Sequence, residues 1–185
     1  MLDAIRERIE EQVRQLLDDM EHIDLIRSRT KGVDKFVAKA RKMNSKNGVM
    51  KYSEPLSQIQ DQIGVRIVVY YKSDIEKIRS LILDEFPEIE DLVKAPDDSW
   101  KFGYEARHMI CTIPLGIRKE FEPHINFFEL QICTLFQHAW SQANHDLTYK
   151  CTGEISGYEE RLSAWAASQA WGADKAFNEI LDNLN

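Results

Sequence analysis

The stretch Val65-Arg66-Ile67-Val68-Val69-Tyr70-Tyr71 constrains this chain more than any other. It is β-branched and aromatic almost without a break, which reads as a buried, central strand. Such a strand needs strand neighbours and helices to cover it. Tyr104 to Ile113 and Asn126 to Thr134 are two further strand candidates. Helices are predicted around them. Residues 2–27 carry Leu2, Ile5, Ile9, Val13, Leu16, Met20 and Ile23 every three or four positions, the stripe of an amphipathic helix. Residues 33–43, a short run from Pro55, 73–83 and 135–150 follow, and 158–184 reads as a helix pair or one bent helix. Asn44 to Glu54 and the acidic, proline-bearing 87–101 read as loops. Three strands among helices predict a layered α/β or α+β fold. The 185 residues suit a single domain: 1–27 as an N-terminal helix, 28–150 as the core, and 151–185 as a C-terminal helical segment on it.

No apolar run approaches the roughly 20 residues that span a bilayer, so no membrane partner is expected. Acids interrupt the N-terminal apolar pattern, unlike a signal peptide. Cys111, Cys133 and Cys151 form no regular framework, which suits a reducing compartment. A cytoplasmic location is the expectation. The net charge of -7 argues against broad, sequence-independent nucleic-acid binding. It leaves room for a local cationic pocket, and cations do gather between Arg27 and Lys51.

Alternation along 126–134 puts Phe128, Leu130 and Ile132 on one face and Glu129, Gln131 and Cys133 on the other. The first face belongs in a core. The second is either the solvated side of a strand or a place where a carboxylate meets a cation, because a buried unpaired carboxylate is costly. Asp61 stands just before the strand, with Gly64 and Arg66 on one face beyond it. It reads either as an Asp–Arg ion pair or, with Glu129, as a magnesium pair, since Mg²⁺ is typically held by one or two carboxylates plus substrate phosphates. His138, Gln142 and His145 share a helix face. A zinc site from Cys133, His138, His145 and Cys151 lacks the compact spacing of structural zinc. Tyr104 and His108 share a strand face, and Tyr104 after Gly103 offers a platform on which a base can stack, or is an ordinary strand-edge tyrosine.

Four segments in order resemble the synthetase domain of the RelA/SpoT family, in its small stand-alone form. They are Arg29-Thr30-Lys31 with Lys39; Asp61-Gln62-Ile63-Gly64-Val65-Arg66; Gly103-Tyr104 to His108; and Glu129-Leu130-Gln131-Ile132-Cys133-Thr134 running through His138-Ala139-Trp140 and His145-Asp146-Leu147 to Tyr149-Lys150. The resemblance implies a nucleotidyltransferase-like mixed β-sheet flanked by helices. It implies transfer of the pyrophosphate of ATP to the 3′-hydroxyl of GDP or GTP, giving (p)ppGpp and AMP. By position, Asp61 and Glu129 would hold Mg²⁺ and serve catalysis. Arg29, Lys31, Lys39 and Arg66 would meet ATP. Tyr104, His108, Gln131, His138, His145 and Lys150 would line the acceptor side. Cys133 stands where the family commonly has Arg, and Glu105 where Arg is common. The departures cluster on the acceptor side and keep alternatives open: a toxic variant acting on the tRNA 3′ end or on adenine nucleotides such as ADP, or an inactive nucleotide-binding module. The first helix is expected to cover the sheet, and a homo-oligomer stays open.

Overall fold

The computed structural model describes residues 1–44, 48–98, 100–150 and 155–184, apart from the side chains of 149 and 150. The expectations that involve Asn47, Cys151, Gly153 and the Lys150 side chain lie outside the described residues.

The N-terminal helix α1 (Leu2–Leu16) ends sooner than its apolar spacing predicts. Asp18, Asp19 and Glu21 follow, and acids oppose the negative end of a helix dipole. His22 adopts a left-handed φ of 65°. There the chain turns back into β1 (Ile23–Thr30), a strand where a helix tail was expected. Met20 and Ile23 still pack on the core, so their spacing satisfies burial without helix. Strand β1 lies along α1, with Ser28 N–H donating to Glu10 Oε2 at 3.1 Å and Arg6 Nη1 to Ser28 Oγ at 2.8 Å.

Helix α2 (Val33–Ala40) and α3 (Pro55–Gln58) precede a 3₁₀ turn, Gln60–Gln62, that delivers β2 (Ile63–Val69). Helix α4 (Asp74–Glu85) leads to β3 (Glu88–Lys94), where a surface loop was predicted. It is an edge strand with charged, exposed side chains, which protect an edge from pairing with other chains but conceal it in a hydrophobicity pattern. Asp91 fastens it, accepting from Arg107 Nη2 at 2.6 Å and from Arg79 Nε at 2.5 Å. The remainder is β4 (Ala106–Thr112), α5 (Leu115–Phe121), β5 (Phe127–Thr134), α6 (Leu135–Lys150) and α7 (Gly157–Leu184), the last a single helix.

The sheet order is β1-β2-β5-β4-β3. Only β2 and β5 run parallel; the other neighbours are antiparallel. One face carries Ile63, Val65 and Ile67 of β2, Phe128, Leu130 and Ile132 of β5, and Met109 and Cys111 of β4 into the core. Ile5, Ile9 and Val13 of α1 and Ile78 and Ile82 of α4 close over them. The expected α+β sheet flanked by helices is therefore present, with five strands among the described residues instead of three. Among the described residues, no helix is long and apolar enough to cross a membrane.

Candidate active site

The opposite face of the sheet holds the polar residues, and strand register sets them in rows. Arg29 of β1 pairs with Gly64 of β2, which pairs with Glu129 of β5 and through it with Ile110 of β4. The next row is Arg27, Arg66, Gln131 and His108. Beyond it, Val68, Cys133 and Ala106 form a small apolar cluster with Leu25, Tyr104 and Leu135. The start of α6 sits over that end, so the face is open at the first two rows and closed at the third. A cleft of about 240 Å³ remains, lined among others by Arg27, Arg29, Gly64, Arg66, Glu129 and His138.

A chain of contacts fixes these groups. Arg66 Nη2 and Nε donate to Gln131 Oε1 at 2.7 and 3.1 Å, and Arg66 Nη1 lies 3.3 Å from His138 Nδ1. Gln131 Nε2 donates to Glu129 Oε2 at 2.9 Å. Glu129 Oε1 lies 3.2 Å from His108 Nδ1, whose Nε2 lies 3.3 Å from the Tyr104 hydroxyl. Burial, the largest single influence, pushes the Glu129 carboxyl up, as does the Asp61 charge, but the hydrogen bond and charge of His108 and the Gln131 hydrogen bond together hold it below the usual range. Burial and the neighbouring Arg66 charge lower His138, which favours the neutral ring. Burial pushes the Tyr104 hydroxyl up to about 12 and the Cys133 thiol up to about 11. Both stay protonated, and Cys133 is an inert packing group.

Asp61 stands in the 3₁₀ turn three residues before Gly64. Its partners are not Arg66 but two lysines: Lys31 Nζ at 2.6 Å and Lys39 Nζ at 2.9 Å. Burial opposes ionisation there, and the two ammonium groups override it, holding the carboxyl below the usual range. Because β2 and β5 are parallel, their starts lie side by side, with Gly64 opposite Glu129, and the Asp61 charge three residues before Gly64 acts on the Glu129 carboxyl.

Two ionised carboxylates with oxygen donors suit Mg²⁺, a hard cation that takes its other ligands from water and phosphate. Among the described residues no group of three or more His, Cys, Asp and Glu could hold a metal ion. The lysines on Asp61 supply positive charge beside the same carboxylate.

The structure thus brings Arg29, Arg66, Glu129, Gln131 and His138 into one cleft, with Lys31, Lys39 and Asp61 at one end and Tyr104 and His108 behind Glu129. His145 is exposed further along α6 and does not line the cleft. Tyr104 is half-buried rather than exposed, its ring edge-on to His108 at 5.7 Å between centroids. Sequence reading gave Arg27 no role, because it fell in the predicted helix tail. The alternation Leu25, Arg27, Arg29 was the available sign.

Gly64 is the one bare position between Arg29 and Glu129, and a Cβ there would meet only Arg29 Cγ at 4.0 Å. Gly64→Val is expected to leave the melting temperature unchanged or raise it, because a β-branched residue suits a strand. The side chain would occupy the cleft and weaken nucleotide binding by about tenfold or more. Calorimetric melting and titration with a non-hydrolysable ATP analogue measure the two effects; full affinity would remove this cleft from binding.

Guanidinium and ammonium groups around paired carboxylates, on the open face of a mixed sheet, are the equipment of an enzyme that moves phosphoryl groups between nucleotides. Residues 28–154 match the family described as a region found in RelA / SpoT proteins, and the chain belongs to that family. It is 28% identical over 170 residues to the GTP pyrophosphokinase YjbM of Bacillus subtilis (strain 168), a match covering 88% of this chain and 74% of that protein. The fold is that of the small alarmone synthetase 1 of Bacillus subtilis, with a TM-score of 0.77 at 21% identity over 98% of this chain and 94% of that one. The same synthetase bound to its product pppGpp superimposes with a TM-score of 0.76 at 21% identity, over 99% of this chain and 92% of that one.

Proposed function

We propose that this chain transfers the pyrophosphate of ATP to the 3′-hydroxyl of GDP or GTP. The observation that carries the reading is Glu129, held ionised inside a cationic cleft, two strands from Arg29 and beside the charge of Asp61.

The steps follow from what each group can do. Arg29 and Arg66 neutralise and align the triphosphate of ATP, with Lys31 and Lys39 at the Asp61 end. Alignment and charge neutralisation are most of what such a transfer needs. Glu129 accepts the proton of the acceptor 3′-hydroxyl. The freed oxygen forms a bond to the β-phosphorus, the bond between that phosphorus and the α-phosphate oxygen breaks, and AMP leaves. His108 and Gln131 keep the Glu129 carboxylate aimed during this exchange. Mg²⁺, held by Asp61 and Glu129, would supply charge neutralisation to the phosphates. Tyr104 presents its ring to the acceptor base, and neutral His138 and Gln131 offer hydrogen bonds to the same substrate.

The test is incubation with labelled ATP, Mg²⁺ and, separately, GDP, GTP, ADP and tRNA. Label on GDP or GTP with stoichiometric AMP is the expected result. Label on ADP or tRNA alone would overturn the guanine acceptor and leave the transfer chemistry standing. No AMP with any acceptor would reduce the chain to a binding module.

Tyr104→Ala is expected to raise the acceptor KM by about tenfold, the equivalent of one stacked base at 1–3 kcal/mol, with the ATP KM within about twofold. Equal changes in both constants would remove the stacking role.

A further inference from the structure

We propose that Asp174 of α7 is a positioning residue for the acceptor side of the cleft, acting through Thr134 and Gln137 on the segment that carries Tyr104. Asp174 lies outside the stretch matched by the family, 28–154. It is nevertheless one of the most buried polar residues, 4% exposed, as are Thr134 and Gln137 at 2% each.

The contacts form a single path. Thr134 Oγ1 donates to Asp174 Oδ2 at 2.8 Å and accepts from Gln137 N–H at 3.2 Å, which caps the first turn of α6. Gln137 Oε1 accepts from the backbone N–H of Glu105 at 3.2 Å. The Glu105 carboxylate is in turn held by Lys72 Nζ at 2.9 Å. The residue before Glu105 is Tyr104, whose hydroxyl meets His108 and so reaches Glu129. Three separate stretches therefore meet at one buried carboxylate: the C-terminal helix, the β5–α6 junction, and the irregular segment ahead of β4. A space of about 220 Å³ lies beside the junction, lined by Lys72, Glu105, Arg107 and Asp174 among others.

An apolar residue would pack this junction at lower cost, because burial opposes the charged form of a carboxyl and replacing buried polar groups by apolar ones is often neutral or stabilising. Burial does push the Asp174 carboxyl up, against the Thr134 bond, the Lys72 charge and the Gln137 side chain. What an acid or amide adds is direction. It sets the Thr134 hydroxyl, the hydroxyl sets the start of α6, and Gln137 sets the height of the Tyr104 segment. The connection matters because residues 101–105 have no ladder of their own to hold them.

The experiment pairs amide hydrogen exchange with steady-state kinetics on the full chain, using GTP and ATP as the varied nucleotides. Asp174→Ala and Gln137→Leu are expected to speed exchange of the Glu105 amide by about tenfold and to raise the GTP KM five- to tenfold, with the ATP KM within about twofold. Asp174→Asn keeps an oxygen for Thr134 and should stay within about twofold of the parent in every measure. Unchanged exchange at Glu105 in either folded disruptive variant would overturn the path. An equal rise in both KM values, or an Asn variant as impaired as the Ala one, would do the same by marking a general loosening. The kinetic arm rests on the proposed reaction and the exchange arm does not. Fast exchange at Glu105 in a chain that turns over no GTP would sustain the link while refuting the acceptor.

Discussion

Glu129→Gln is expected to lower turnover by about 10³-fold while the fold and both nucleotide affinities persist, because a positioned general base contributes 10²–10⁴. The substitution keeps shape and one oxygen for the Gln131 amide, but removes the charge that His108 holds ionised. Circular dichroism and melting should match the parent within about 2 °C, since no buried group loses all its partners. Turnover within threefold of the parent would take Glu129 out of the mechanism. Loss of turnover together with loss of the fold would mean the carboxylate holds the sheet together instead.

Asp61→Asn should cost about 10²-fold or more in turnover and raise the Mg²⁺ concentration needed for half-maximal rate. Two lysines converge on this carboxylate at 2.6 and 2.9 Å, so its removal also leaves adjacent ammonium groups without their counter-charge. The pH dependence separates this structural share from catalysis. The folded carboxyl sits below its ordinary value of 3.8. A depressed value stabilises the fold above the unfolded value and loses that contribution as pH falls through the folded one. The stability gap between parent and Asp61→Asn should therefore be widest near neutral pH and close in acid. Denaturant unfolding at neutral and strongly acid pH reads it, and a gap that persists in acid would assign the loss to packing.

The polar face of β5 was legible because a strand alternates: Glu129 and Gln131 on an otherwise apolar run had no place in a core. The Gly64–Arg66 alternation was legible for the same reason, and these two residues line the cleft with Glu129 and Gln131. β1 was not. Its apolar residues continue the helical spacing of α1, and only the cluster Asp18, Asp19 and Glu21 hints that the helix has stopped. β3 hides behind the charges that an edge strand needs. One of the two readings of Asp61 paired it with an arginine, and Arg66 is the nearer cation in sequence. Lys31 wins because β1 lies antiparallel to β2, which returns Arg29 and Lys31 to the beginning of β2. Asp174 left no trace in the sequence, since an acid on a long helix of mixed composition looks solvated until the partner surface is known.

The parallel pairing of β2 with β5 also governs how the protein comes into being. The antiparallel pairs β3–β4 and β4–β5 join strands consecutive in the chain, whereas β2 and β5 are joined through α4, β3, β4 and α5, and so meet only after a long loop has been closed. Such non-local pairing is slow. A nascent chain that has not yet released β5 from the ribosome has its lysines and Asp61 but no Glu129 beside them. Activity would then switch on as an all-or-none event with completion of the sheet, and recovery of turnover during refolding should lag behind the appearance of helix.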